Sequence, residues 1–401
     1  MSDLNIIKDL AEQTDSKIIQ LVLDGLGGIP RPETGRTELE TANTPNLDQL
    51  AAEGICGLAD PVSPGITPGS GPGHLSLFGY DPIKYQVGRG VLEALGVDFE
   101  LAAGDVAARC NFCTVDENGV ITDRRAGRIP SEKNAELCEM LGGIKIEGVE
   151  LFIMPGKEHR FATVFRGQGL DGVVDDTDPQ KVGMKPKEAR ALSDDGQRLA
   201  NVINEFVSQA QSILADSHPA NMILLRGISQ RPDMSLMTEV FKLNPAAIAT
   251  YPMYRGLARL VGMEILPTGT TFEDELKTLA EYWDRHDFFY VHIKYTDSAG
   301  EDGDFDRKVR VIEEADILMP KLLDLKPDVL VVTGDHSTPA ILKAHSWHPV
   351  PVLLHSNYCR PDAAVEFSER ACVTGGLGRI MATDILPLAL ANALKLAKFG
   401  A

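Results

Sequence analysis

Three segments of the chain share one pattern. Residues 17–23 (KIIQLVL) run into Asp24-Gly25, residues 288–295 (FFYVHIKY) into Thr296-Asp297, and residues 329–332 (VLVV) into Thr333-Gly334-Asp335-His336. Each is a short, nearly continuous run of β-branched or aromatic residues that ends in small residues and an acid. Such runs predict strands buried on both faces, as in a parallel sheet. Helix-period stretches lie between and after them. Residues 45–53 are apolar at Leu47, Leu50 and Ala51 and stop at Gly54; residues 307–325 are a second; residues 384–398 are a third and stop at Gly400. The alternation predicts an α/β fold, a mostly parallel sheet flanked by helices. Ligands of such open sheets bind beyond the carboxyl ends of the strands. Three acids at three such ends are therefore expected to converge on one place.

The middle of the chain reads differently. From about residue 90 to 267 the apolar runs are shorter and arginine is frequent. Residues 193–214 predict one long amphipathic helix, capped by Ser193 and favoured by Asp194 and Asp195 in its first turn. Residues 164–178 (VFRGQGLDGVVDDTD) predict a loop. Acid-ended strands lie on both sides of this region, so it is expected to be a smaller α/β domain inserted in the first. Residues 1–88 and 268–401 then form the main domain, and residues 89–267 the insert.

Composition narrows the partners. A length of 401 residues suggests two or three domains. With 43% hydrophobic and 24% charged residues, the chain is neither disordered, collagen-like nor a coiled coil. Net charge is 39 minus 58, or −19, which repels a phosphate backbone, so no nucleic-acid partner is expected. An anion must instead meet locally concentrated Arg, Lys or metal. No run approaches the ~20 apolar residues that span a bilayer, and residues 1–17 lack the apolar centre of a secretory leader. Six sparse cysteines fit a cytoplasmic protein with reduced thiols. Cys110 and Cys113 form a CxxC without a second pair and read as small buried hydrophobes.

Asp24, Asp297, Asp335, His336 and His345 form a set with metal chemistry. Carboxylates and neutral imidazoles together suit Mn, Zn, Co or Mg. Any one of these acids alone reads as a helix cap. The second feature is residues 67–74, TPGSGPGH. Its glycines allow close backbone approach and its prolines stiffen the loop. Ser70 at its centre becomes a nucleophile if a metal ion lowers its pKa.

The loop GITPGSGPGHLSLFGYDP (residues 65–82), followed by VGRGVLEALG, resembles that of cofactor-independent phosphoglycerate mutases of the archaeal type. TPNLDQLAAEG (residues 44–54) is similar to a helix widespread in the alkaline phosphatase superfamily. HIKYTDSAGEDGDF, VVTGDHSTP and HSWHPVPVLL match the mutase pattern in order and spacing. The resemblance implies an alkaline-phosphatase-like domain with two adjacent divalent metal ions. One takes Asp24, Ser70, Asp335 and His336. The other takes Asp297, His345 and the residue four after Asp297. It also implies an isomerase that moves a phosphoryl group between the 2- and 3-positions of phosphoglycerate by way of a phosphoserine at Ser70. No free bisphosphorylated cofactor is then needed. One position departs from the pattern: where the family has histidine, this chain has Glu301. A carboxylate there favours harder ions, Mn or Mg, over zinc. His345 occupies the motif's histidine position, and His348, which stands where the family has an acid, is the alternative to Glu301 as replacement for the missing histidine ligand.

A phosphoglycerate, a small three-carbon acid, presents two anionic groups, and arginine's planar fork binds either. Candidates are Arg109, the cluster of Asp123, Arg124, Arg125 and Arg128, then Arg160, and Arg255 with Arg259 four residues on. The resemblance places the arginines of DRRAGR and YRGLAR at the substrate. His74 is a candidate donor to substrate or general acid-base group, and Lys294 a candidate contact near Asp297. His159, His218, His286, His292 and His355 receive no role. The alternatives are a metal-dependent phosphatase or phosphonate hydrolase with the same centre, and a non-catalytic sensor of a phosphorylated metabolite. The sequence leaves the oligomeric state open.

Overall fold

The three acid-ended runs form the centre of one sheet in the computed structural model, which describes residues 4–400. Strand Ile18–Leu23 lies between Phe288–Ile293 and Val329–Thr333 and runs parallel to both. Every residue of the three is buried, as expected for strands covered on both faces. The full order is Gly378–Met381, Ile55–Asp60, Val350–Ser356, Val329–Thr333, Ile18–Leu23, Phe288–Ile293, Pro245–Ile248 and Glu264–Ile265. Val350–Ser356 makes antiparallel pairs with both of its neighbours, and the remaining pairs are parallel.

The register explains why the acids converge. Leu23 pairs with Ile293 and Val22 with Thr333, so the three strands end level with one another. Alternation along each strand then separates two environments. Ile19, Leu21, Leu23, Phe289, Val291, Ile293, Leu330 and Val332 join a core with Leu47 and Leu50, Leu276 and Leu279, and Ile312 and Met319 from three helices. The alternate positions include Gln20, Tyr290 and His292, all buried. On that face packs the helix Ser70–Leu77: the Gln20 amide donates to the Leu77 carbonyl at 3.1 Å, and the Tyr290 ring lies 4.9 Å from that of Phe78.

The predicted helix at residues 45–53 is present as Pro45–Glu53. The second begins earlier, as Phe305–Leu323, because the Asp304 carboxylate accepts from the Arg307 amide at 2.9 Å and caps it. The third is shorter, Ile385–Asn392, and Leu394 beyond it turns to positive φ. No helix among the described residues is long and apolar enough to cross a membrane. Met1, Ser2, Asp3 and Ala401, which belong to the terminal segments assigned from sequence, lie outside the described residues.

The chain divides into two compact units, residues 4–86 with 234–400 and residues 87–233. The boundary expected at 267 therefore falls near 233. Residues 234–267 contain Pro245–Ile248, whose backbone pairs with Phe288–Ile293, and the helix Pro252–Leu260. Arg255 and Arg259 consequently belong to the first unit and not to the insert.

The second unit has a sheet of Val106–Val115, Ile121–Asp123, Val149–Pro155, Arg160–Gly167 and Met222–Gln230. All its pairings are antiparallel. The four-residue link between Val149–Pro155 and Arg160–Gly167 permits a hairpin but no parallel crossover. Residues 164–167, expected as loop, finish a strand. The long helix is Gln197–Leu214 and starts four residues later than expected, since the Ser193 hydroxyl is used to bond Asp195 and the Val173 amide. Its Leu199, Ile203 and Phe206 pack on Phe161 and Phe165. Cys110 and Cys113 are buried in this unit, and burial raises both thiols.

Candidate active site

Asp24, Asp335 and His336 follow directly on two neighbouring strands. One ligand-type atom from each lies within 4.8 Å of the others, and all three residues are fully buried. The Asp24 amide donates to the Ile293 carbonyl at 2.9 Å, which fixes the first turn after the strand. The Oδ2 atom of Asp24 lies 3.2 Å from His292 Nε2 and 3.1 Å from Lys294 Nζ. Asp335 Oδ1 accepts from the Gly25 amide at 3.1 Å. The other oxygens, Asp24 Oδ1 and Asp335 Oδ2, lie 3.3 and 3.2 Å from His336 Nε2 yet accept no hydrogen bond.

The tautomer of His336 follows from its neighbour. The Thr338 hydroxyl lies 2.6 Å from Asp297 Oδ1 and 2.9 Å from His336 Nδ1. A carboxylate only accepts, so the single hydroxyl proton goes to Asp297 and the ring donates Nδ1–H to the hydroxyl oxygen. Nε2 keeps its lone pair, and burial holds the ring well below the usual histidine range, hence neutral. Two carboxylate oxygens without a hydrogen bond thus face an imidazole lone pair that only the Ser70 hydroxyl reaches. Two buried carboxylate charges no more than 4.8 Å apart repel by about 3 kcal/mol at an effective dielectric near 20. Burial and the neighbouring Asp24 push the Asp335 carboxyl up. A divalent cation answers the charge and the lone pairs together, so the residues present fit one.

A second donor set combines Asp297, the same His336 and His345. Asp297 sits in the first turn of the helix Tyr295–Asp302. The Nδ1 of His345 lies 2.9 Å from the Pro68 carbonyl, to which it can only donate. Its Nε2 is therefore bare, 3.7 Å from Asp297 Oδ1. Glu301, one turn after Asp297, brings Oε1 to 3.9 Å from His345 Nε2. It lies beside the set and outside its tight core, and burial and Asp297 push its carboxyl up. His348 belongs to neither set; its Nδ1 meets the Ser346 hydroxyl at 3.0 Å and its ring stacks on Trp347.

Ser70 is the first residue of its helix, half-buried, with Oγ 3.2 Å from His336 Nε2. The unpaired amides and dipole of a helix N-terminus favour an anion at that hydroxyl. Gly73 allows this approach, because a Cβ there would lie 2.3 Å from the Asp335 carbonyl oxygen.

His74 differs from expectation. It is fully buried, with Nδ1 2.9 Å from the Ser70 carbonyl and 3.1 Å from Asp335 Oδ2. A ring so enclosed supports Asp335 and the Ser70 helix and does not present a donor to a substrate. Lys294 bonds both Asp24 and Asp297, and also the Tyr254 hydroxyl at 3.0 Å. Arg255 and Arg259 lie on the helix Pro252–Leu260, which carries Tyr254 inward.

In the second unit, Asp123 is occupied in holding a turn, accepting from the amides of Arg125 and Gly127 at 2.8 and 2.7 Å. Arg124 pairs with buried Asp178 through two hydrogen bonds. These two serve local structure. Arg125 and Arg128 are exposed beside them. Burial lowers Arg109; Glu93, 3.8 Å away, opposes this, and the charges of Arg160, Arg89 and Arg226 add to it.

Sequence reasoning passed over several of these groups. His292 and Tyr290 were readable as the polar members of an otherwise apolar strand. Lys308 falls on the buried stripe of its helix with Ile312, Ala315 and Met319. It is fully buried, and its ammonium bonds the carbonyls of Gly25, Gly27 and Thr338 at 2.8, 3.0 and 2.9 Å. Thr338 and Tyr254 carried no local signal, nor did Arg89 and Arg226, which reach Arg109 only through sheet register and turn geometry.

The family model described as 2,3-bisphosphoglycerate-independent phosphoglycerate mutase matches residues 51–221. A Thermotoga neapolitana protein named Probable 2,3-bisphosphoglycerate-independent phosphoglycerate mutase is 55% identical, covering 98% of each chain. Among solved structures, a Pyrococcus horikoshii protein is 32% identical with a TM-score of 0.83, covering 97% of this chain and 100% of that one. The cofactor-independent phosphoglycerate mutase of Thermoplasma acidophilum is also 32% identical, with a TM-score of 0.75 and coverage of 94% and 100%. An identity of 55% sustained over nearly the full length of both chains places this chain in the family of 2,3-bisphosphoglycerate-independent phosphoglycerate mutases.

Proposed function

We propose that the protein interconverts 2-phosphoglycerate and 3-phosphoglycerate, with Ser70 carrying the phosphoryl group between the two half-reactions. The observation that carries this reading is the Ser70 hydroxyl 3.2 Å from Nε2 of His336, the residue common to both donor sets. Asp24, Ser70, Asp335 and His336 would hold one divalent cation, and Asp297, His345 and Glu301 the other. Bound there, divalent cations lower the pKa of the Ser70 hydroxyl and offset the charge of the transferring group.

In the first half-reaction Ser70 Oγ bonds to phosphorus and the substrate's phosphate ester bond breaks, the proton passing to the released hydroxyl. In the second, the other hydroxyl of the glycerate attacks phosphorus and Ser70 recovers its proton. The helix N-terminus keeps the phosphoserine anion favourable, and Lys294 adds a fixed positive charge beside Asp24 and Asp297. Arg255 and Arg259, on the helix Pro252–Leu260 of the same unit, are assigned to the substrate's anionic groups. Glycerate must stay bound between the steps, so water is excluded until transfer is complete.

The test is an assay of 2- to 3-phosphoglycerate conversion after chelation and metal add-back, with inorganic phosphate measured beside the isomer. Activity lost on chelation and restored as isomer supports the reading. Released phosphate without isomer would instead make the protein a phosphatase.

Glu301 supplies a prediction of its own. A carboxylate in place of a histidine favours Mn or Mg. Glu301→His is expected to shift competition between Zn and Mn roughly tenfold or more toward Zn. An unchanged ratio would remove Glu301 from the cation's surroundings.

A further inference from the structure

We infer that Lys308 is a positioning residue: belonging to neither donor set, its ammonium clasps the turn that follows Asp24 to the turn that follows His336, and so sets the spacing of the donors those turns carry. The inference rests on the metal reading above. Regular pairing between the strands Ile18–Leu23 and Val329–Thr333 ends at Val22 and Thr333. The acids lie past that point, where other bonds must hold the two chains together. The Gly25 amide donates to Asp335 Oδ1 at 3.1 Å, and the Thr338 amide is shared between the Gly25 and Gly27 carbonyls at 3.2 and 3.1 Å. Lys308 Nζ completes the join, 2.8, 3.0 and 2.9 Å from the carbonyl oxygens of Gly25, Gly27 and Thr338. Carbonyls only accept, so three of them require the three protons of an ammonium, where a neutral amine has two. The join is tight: a Cβ on Gly27 would lie 1.9 Å from Ser337 Oγ, and one on Gly300 2.2 Å from the Thr338 carbonyl oxygen.

The clasp is anchored in the core. Lys308 stands near the start of the helix Phe305–Leu323, on the stripe whose Ile312, Ala315 and Met319 join the buried cluster beneath the sheet. Burial lowers the ammonium; among the charges that oppose this, Glu38 comes first, ahead of Glu369, Asp297 and Asp24. Glu38 is itself fully buried, and its Oε1 accepts from the Ala340 amide at 2.8 Å, two residues past Thr338. The cation of the clasp and its counter-charge therefore grip the same turn.

The sign of one measurement separates placement from charge. An ammonium repels a divalent cation, so a lysine acting through charge alone would weaken binding, and its removal would tighten it. A lysine that places the donors strengthens binding, and its removal weakens it. Lys308→Met suits the apolar stripe and deletes the three bonds. Stripped by chelation and titrated with Mn²⁺ by calorimetry, this variant is expected to bind about 10–100-fold more weakly than wild type, with KM for 3-phosphoglycerate at saturating Mn²⁺ within about threefold. Unchanged or tighter Mn²⁺ binding, or a rise in KM in its place, overturns the inference and leaves the metal reading standing. A wild type that binds no Mn²⁺ overturns the metal reading and this inference with it. If Lys308→Met does not fold, the same titration is made on Lys308→Met combined with Glu38→Gln, which removes the carboxylate left unbalanced, and is compared with Glu38→Gln alone.

Discussion

Ser70→Ala is expected to lose turnover by about 10⁴-fold or more, the scale of removing a serine nucleophile, while still binding divalent cations. The two effects separate because Ser70 is one donor among several. Asp24 Oδ1, Asp335 Oδ2 and His336 Nε2 remain within reach of one another without it. The fold should tolerate the change, since Ser70 is half-buried at the first position of its helix and alanine is a good helix former. Calorimetric Mn²⁺ titration beside the isomerisation assay checks both halves. Wild-type turnover in this variant would end the phosphoserine mechanism.

The second large effect is expected from Asp335→Asn. Asparagine keeps the size of the side chain and the acceptor for the Gly25 amide. It replaces the bare Oδ2, or its equivalent, with a neutral group facing His336. One cation position should empty and turnover should fall to background. Stability should respond in the opposite sense when metal is absent. The aspartate pair that repels by about 3 kcal/mol is then relieved, so chelated Asp335→Asn should melt at or above chelated wild type. With Mn²⁺ in excess the order should reverse, because only the wild type gains from binding at both positions. A chelated variant that melts well below chelated wild type would show Asp335 to be structural.

Much of this site could be read from the chain, and the reason is local. An acid after a buried strand marks a strand end, and parallel register gathers such ends, so the chain alone predicts that Asp24, Asp297 and Asp335 converge. Tandem Asp335-His336 and the Ser70 loop carry their chemistry in adjacent residues. What escaped depends on distant partners. Thr338 matters because it sits against both Asp297 and His336, and a threonine in a turn does not announce that. His74 reads as a candidate donor, yet its ring is enclosed on the inner side of its own helix by Tyr254, Phe78 and Tyr290. Arg124 looked like an anion ligand until Asp178, 54 residues away, was seen to hold it. The insert's boundary moved because Pro245–Ile248 is only four residues long, too short to be recognised as a strand without its neighbour.

The most direct measurement is mass spectrometry of the protein quenched within a turnover, in Mn²⁺ and excess 3-phosphoglycerate. The account predicts one phosphoryl group on the peptide containing Ser70, absent from Ser70→Ala and from chelated protein. Turnover at full rate with that peptide unmodified, or with the phosphoryl group on another residue, would contradict it.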